Sequence, residues 1–78
     1  MSRRDRLIAK IRARPVEARA SDVVALLEEF GWVLDRQQGS HMVFTKPGRR
    51  SFVVPLVSGR RVTRMYLDQV IELLGLDD

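Results

Sequence analysis

The stretch GWVLDRQQGSHMVFTKPGRRSFVVP, residues 31–55, decides how this chain folds. Side chains alternate between two faces with period two from Trp32 onward, and residues 32–37, 41–46 and 51–54 are predicted to be short β-strands. The turn sequences Gln38-Gly39-Ser40 and Pro47-Gly48 separate the three segments. The stretch therefore predicts an antiparallel three-stranded meander. Pro55 is expected at the end or the edge of the third strand, because proline cannot donate to a ladder.

The same alternation assigns side chains to the two faces of the meander. It places His41 on the opposite face of the second strand from Met42 and Phe44. In the first strand it places Trp32, Leu34 and Arg36 on one face. If Met42 and Phe44 pack beneath helices, His41 points outward.

Amphipathic helices are predicted on both sides of the meander. Apolar residues recur at i, i+3, i+4 and i+7 in two segments, which are Val23, Leu26, Leu27, Phe30 and Leu67, Val70, Ile71, Leu74. Ser21 and Thr63 are the predicted N-caps, and Gly31 and Gly75 are the predicted stops. Residues 57–62 are predicted to form a basic loop.

The first twenty residues are predicted to be a basic extension. Residues 3–14 form a short helix with an apolar stripe of Leu7, Ile8 and Ile11, ended by Pro15, and residues 15–20 are a connector. We therefore expect one domain, with residues 1–20 as the extension and residues 21–78 as its main part. The order helix, helix, three strands, helix predicts an α+β fold with helices on one sheet face and the other face open.

Composition excludes several classes of protein. The 78 residues include no cysteine and one histidine, so a disulfide framework or a zinc site of these ligands is not expected. No apolar run is long enough to cross a membrane, and the basic N-terminus does not resemble a signal peptide. We expect a cytoplasmic protein with no cofactor and no membrane partner.

Positive charge is concentrated in the chain and favours an anionic partner. The net charge is +4, but residues 36–64 alone carry seven basic residues and no carboxylate. Arginine predominates, and its planar fork matches phosphate oxygens. Two alternatives stay open at this point: arginine richness from a GC-rich genome, and a merely solvated run of charge.

The lone histidine is the candidate catalytic group. An exposed imidazole can take the proton from a ribose 2′-hydroxyl, or can protonate the leaving 5′-oxygen, with no metal required. Neighbouring guanidinium groups would stabilise charge on the phosphate. An isolated surface histidine without any function is the alternative reading.

The order Gly31-Trp32-Val33-Leu34, Arg36, Gly39-Ser40-His41 and Phe44 resembles the HicA, or YcfA-like, family of small bacterial mRNA interferase toxins. The resemblance covers roughly residues 21–76. It implies a fold like the double-stranded-RNA-binding domain (dsRBD), cleavage of mRNA, and neutralisation by a HicB-like antitoxin, which the positive charge of this chain predicts to be acidic.

The resemblance implies that His41 is the catalytic residue. Gly39 is expected in the turn that supports this site. Phosphate contacts are predicted for six further residues: Arg36, Ser40, Lys46, Arg60, Arg61 and Arg64. We thus expect a metal-independent endoribonuclease toxin. Two alternatives remain, a non-catalytic module that binds double-stranded RNA and a protein-interaction module of the same fold. Oligomeric state and the role of residues 1–20, in packing, RNA binding or partner binding, stay open.

Overall fold

The fold was analysed in a computed structural model that describes residues 2–77. Its elements, in chain order, are α1 (Arg3–Arg12), β1 (Glu17–Arg19), α2 (Ala20–Glu29), β2 (Val33–Gln38), β3 (His41–Thr45), β4 (Phe52–Pro55), β5 (Arg61–Thr63) and α3 (Arg64–Leu74). Strands β2, β3 and β4 form an antiparallel sheet in sequence order. The predicted α+β class and the dsRBD-like order of helix, three strands and helix are confirmed, as is the additional N-terminal helix.

A second, two-stranded sheet was not predicted. Strand β1 pairs antiparallel with β5, so that Glu17 lies opposite Thr63 and Arg19 lies opposite Arg61. The predicted connector over residues 15–20 and the predicted loop over residues 57–62 are therefore wrong in part. Each strand has only three residues, which is too short for an alternating pattern to stand out in the sequence.

A β-bulge changes the predicted faces of β2. Leu34 pairs with Phe44 and Arg36 pairs with Val43, so Asp35 is an extra residue without a partner in the register. The prediction that Leu34 and Arg36 share a face is therefore wrong. Past the bulge, Arg36 lies on the same face as Val43, which is the face of His41.

The helices cover one face of the three-stranded sheet. Met42, Phe44 and Val54 are fully or almost fully buried there, whereas Val33 and Val53 on the other face are 58% and 43% exposed. The core is one contiguous cluster to which every helix contributes: Leu7, Ile11, Val23, Leu26, Leu27, Trp32, Met42, Phe44, Val54, Val62, Leu67, Val70 and Ile71 are among its members. The open sheet face predicted from the alternation is thus present.

The helix ends match the predictions only in part. Gly31 follows the end of α2 with φ 90°, and Gly75 ends α3 in the left-handed conformation, as predicted. Helix α2 begins at Ala20 and its N-cap position is Arg19, so the predicted cap at Ser21 is wrong. Thr63 occupies the N-cap position of α3, but its side chain accepts no capping hydrogen bond.

Helix α1 ends at Arg12, two residues before its predicted end. Its N-cap is Ser2, whose hydroxyl accepts a hydrogen bond from the Asp5 N–H at 3.1 Å. Arg14 then takes the left-handed conformation with φ 50°, which reverses the chain ahead of β1. Within residues 2–77, no helix combines the length and the apolar character that a membrane span requires.

Candidate functional site

His41 lies at the first position of β3, directly after a two-residue turn. Gly39 has φ 58°, a conformation that glycine adopts without strain, and it is the only residue of this turn with a positive φ. The Gln37 side-chain amide donates to the Gly39 carbonyl at 3.1 Å, and the Leu56 N–H donates to the Ser40 carbonyl at 2.6 Å. The turn before His41 is therefore held from both sides.

The register defines the surroundings of the imidazole. His41 pairs with Gln38 on one side and with Pro55 on the other, so these three side chains share the open face. Gln38 was not among the predicted site residues, although its position opposite His41 places the two side chains about 5 Å apart at Cβ. The sequence signal that identifies Gln38 is the turn itself, because a two-residue turn places the residue before it opposite the residue after it.

The imidazole of His41 is exposed to solvent. Within residues 2–77, neither this ring nor the Ser40 hydroxyl has a hydrogen-bond partner, so Ser40 does not orient His41 in this conformation. The Asp35 carboxylate, which lies nearest in sequence, accepts a hydrogen bond from Arg36 at 2.6 Å. The described part of the chain thus presents one free acid-base group at this position.

Arg36 is the predicted phosphate ligand that the structure brings toward His41. Its strand partner Val43 is two residues from His41 on the same face. Diagonal neighbours of this kind lie about 7–8 Å apart, within reach of an arginine side chain. The pairing with Asp35 joins two side chains that are about half exposed, so it contributes little stability and leaves other N–H groups of the guanidinium for a phosphate.

Lys46 lies at the opposite end of β3 and has a structural partner. Its ammonium group donates to the Phe30 carbonyl at 2.7 Å, at the C-terminal end of α2. The side chain is half-buried and packs over Gly31, where an added Cβ would lie 3.3 Å from Lys46 Cε. The structure therefore does not place Lys46 beside His41.

Replacing Lys46 with methionine is expected to destabilise the protein by about 1–2 kcal/mol, because it removes a charge-assisted hydrogen bond to a helix C-terminus and leaves a carbonyl without its partner. Urea unfolding of the variant measures this loss. Arg50→Met in the same connection is the matched control, with an expected change within about 0.5 kcal/mol. Equal stability of the two variants would contradict this role of Lys46.

The three remaining arginines lie around β5. Arg64 is tied to the segment before β1: its Nε donates to the Arg14 carbonyl at 2.8 Å, and its N–H donates to the Val16 carbonyl at 3.0 Å. Arg60 and Arg61 are exposed and line a groove of about 450 Å³ together with Arg19. Arg19 was not among the predicted site residues, because β1 was not predicted.

The arginines near β5 are linked to the histidine turn through the backbone. Leu56, which donates to Ser40, is followed by Val57, whose carbonyl accepts hydrogen bonds from the N–H groups of Arg60 and Arg61. His41 and this hairpin therefore belong to the same end of the three-stranded sheet. Within residues 2–77, no three side chains of His, Cys, Asp and Glu are grouped so that they could hold a metal ion.

Fold and site define a small α+β protein of dsRBD-like arrangement, with an exposed histidine and arginines at one end of an open sheet face. A family model described as the HicA toxin of bacterial toxin-antitoxin matches residues 20–76, which is well over half of the chain. The chain belongs to the HicA toxin family. Searches of curated proteins and of solved structures returned no significant match. Membership assigns the protein a toxin role and implies an antitoxin as its partner.

Proposed function

We propose that this toxin is a metal-independent endoribonuclease that cleaves mRNA with His41 as general acid or base. The observation that carries the proposal is the position of His41, exposed on the open sheet face of a HicA chain and directly after a turn fixed by two hydrogen bonds. A catalytic acid-base group must reach its proton without obstruction, and this imidazole is unobstructed.

The proposed step is an internal transfer at phosphorus. The imidazole accepts the proton of a ribose 2′-hydroxyl as the 2′-oxygen forms a bond to the adjacent phosphorus. The bond from phosphorus to the 5′-oxygen breaks, and that oxygen takes a proton from water or from the imidazolium. The products are a 2′,3′-cyclic phosphate and a 5′-hydroxyl.

Neighbouring side chains support this step in our proposal. Arg36 would stabilise negative charge on the phosphate oxygens, and the Gln38 amide would donate to the same group, since both residues share the sheet face of His41. Ser40, Arg60 and Arg61 would bind adjacent phosphates of the RNA, since backbone hydrogen bonds connect their segment to the histidine turn. Arg64 is left out of this group because its Nε is engaged with the Arg14 carbonyl. Lys46 is left out of this group because it is engaged with α2.

The proposed partner is a HicB-like antitoxin with acidic side chains. Family membership implies an antitoxin, and the open face around His41 carries Arg36 and exposed apolar residues such as Val33 and Val53. An acidic protein that covers this face would exclude RNA and neutralise the arginines. Activity on mRNA would take place in the cytoplasm.

A non-catalytic RNA-binding module is the second candidate. It is favoured by one observation: among residues 2–77, no second acid-base side chain is hydrogen-bonded to His41. A single histidine must then serve both proton transfers or rely on water, whereas binding alone needs only the fold and the arginines.

Incubation of the purified protein with a defined RNA, with chelator present and absent, separates the two candidates. We expect cleavage in both conditions and no cleavage of DNA of the same sequence, which lacks the attacking 2′-hydroxyl. RNA that is bound with steep salt dependence and stays intact would reject the nuclease and select the binding module.

A further inference from the structure

The two-stranded sheet contains an unfavourable pair of charges. Arg19 in β1 lies directly opposite Arg61 in β5, and both side chains are exposed. Like charges at directly opposed positions of an antiparallel pair destabilise the sheet. Arg60 is adjacent, so three guanidinium groups belong to this small region. An anion bound between the arginines would relieve this repulsion.

The three arginines border one open groove. Arg19, Arg60 and Arg61 line it together with Ala20, Ser21 and Gly59, and its volume is about 450 Å³. Among these lining residues there is no carboxylate, and within residues 2–77 none of the three guanidinium groups has an ion-pair partner. Asp22, on the neighbouring surface, is paired with Lys10 at 3.3 Å. The groove thus offers several free N–H donors to an anion.

The groove is connected through the backbone to the strand partner of His41. Its Arg60 and Arg61 follow Val57, which is two residues after Pro55, the strand partner of His41. We propose that the groove binds a backbone phosphate of the RNA, and that Arg19 supplies part of the binding. Arg19 precedes residues 20–76, which the family model matches, so the contact would be contributed by the N-terminal segment of this chain. The choice of RNA as the ligand rests on the proposed function.

The test measures RNA affinity in a His41→Ala background, so that the RNA stays intact. Fluorescence anisotropy with a labelled single-stranded RNA is recorded between 50 and 200 mM salt. Removing one phosphate contact by Arg19→Gln should lower the affinity about three- to tenfold and reduce the salt slope by about 0.7–1. Arg50→Gln is the control, because it removes the same charge at the opposite end of the three-stranded sheet.

A second variant separates binding from folding. Arg19→Glu places a carboxylate opposite Arg61, so the melting temperature should stay the same or rise, while RNA affinity should fall more than in Arg19→Gln. The combination of retained stability and lost affinity cannot arise from misfolding.

Two results would overturn the inference: an RNA affinity for Arg19→Gln equal to that for Arg50→Gln, or a loss of antitoxin affinity without any loss of RNA affinity. Failure of the proposed nuclease is a separate outcome. If the wild-type protein does not cleave RNA but Arg19→Gln weakens RNA binding selectively, the groove stands as a phosphate site and the nuclease is rejected.

Discussion

Replacing His41 with alanine should lower the rate of RNA cleavage by about 10²- to 10⁴-fold, which is the usual contribution of a general acid or base. The loss should be near the upper value, because within residues 2–77 no second acid-base side chain is hydrogen-bonded to His41 and could replace it in the proton transfer. Growth arrest caused by the toxin should disappear with the cleavage. The rate is measured on a defined RNA under single-turnover conditions.

The fold should tolerate this substitution, since the His41 side chain is exposed and has no partner among the described residues. Circular dichroism and RNA affinity should therefore remain close to those of the wild type. Thr45→Ala is the matched control on the same strand and the same face, four residues away. A His41→Ala protein that cleaves RNA as fast as the Thr45→Ala protein would reject His41 as the catalytic group.

The second large effect concerns the N-terminal helix. Ile11 is completely buried, in one cluster with Leu26, Phe44 and Leu67. Ile11→Ala should reduce the free energy of unfolding by about 2–5 kcal/mol, because it leaves a cavity in the core. A chain of this size has a total stability of about 4–12 kcal/mol, so the substitution removes a large fraction of it. Urea unfolding measures the change.

The neighbouring Ile8 provides the comparison, since it lies on the same helix but is only half-buried. Ile8→Ala should therefore destabilise the protein clearly less than Ile11→Ala. We propose on this basis that residues 2–20 fold together with residues 21–77 as one unit. Wild-type stability of Ile11→Ala would show instead that the extension is a separate, dispensable segment.

The sequence was sufficient to predict the elements with strong local signals. The meander follows from short strand segments separated by the turns at Gly39 and Pro47-Gly48, and the ends of α2 and α3 follow from Gly31 and Gly75. In each of these cases the information lies within a few neighbouring residues. Glycine at a position of positive φ and apolar residues at helical spacing reflect local stereochemistry that tertiary contacts did not override.

The remaining features depend on contacts between distant residues. Strands β1 and β5 form only by pairing with each other, some forty positions apart along the chain, and neither segment has a strand pattern of its own. The bulge at Asp35 is likewise set by the register against β3, so alternation alone assigned Arg36 to the wrong face. The bond from Lys46 to Phe30 joins residues 16 positions apart and has no signal in the sequence.

For the candidate site, the sequence identified the histidine and its turn but not the surrounding geometry. The outward direction of His41 follows from the parity of β3, in which Met42 and Phe44 are apolar. Arg19 became a candidate only with the strand register, because long-range pairing brings it to Arg61. Gln38 follows instead from the local register of the hairpin that contains His41. A run of basic residues in the sequence indicates a basic region, whereas the fold determines which of these side chains are neighbours.

Identification of the RNA ends left by the wild-type protein is the most direct test of the proposed cleavage mechanism. Mass spectrometry of the products from a defined RNA, cleaved in the presence of chelator, distinguishes the chemistry. Attack by the 2′-hydroxyl with His41 as the acid-base group predicts a 2′,3′-cyclic phosphate, or its 2′- or 3′-phosphate hydrolysis product, and a 5′-hydroxyl on the other fragment. A 5′-phosphate with a free 3′-hydroxyl would contradict the proposed mechanism.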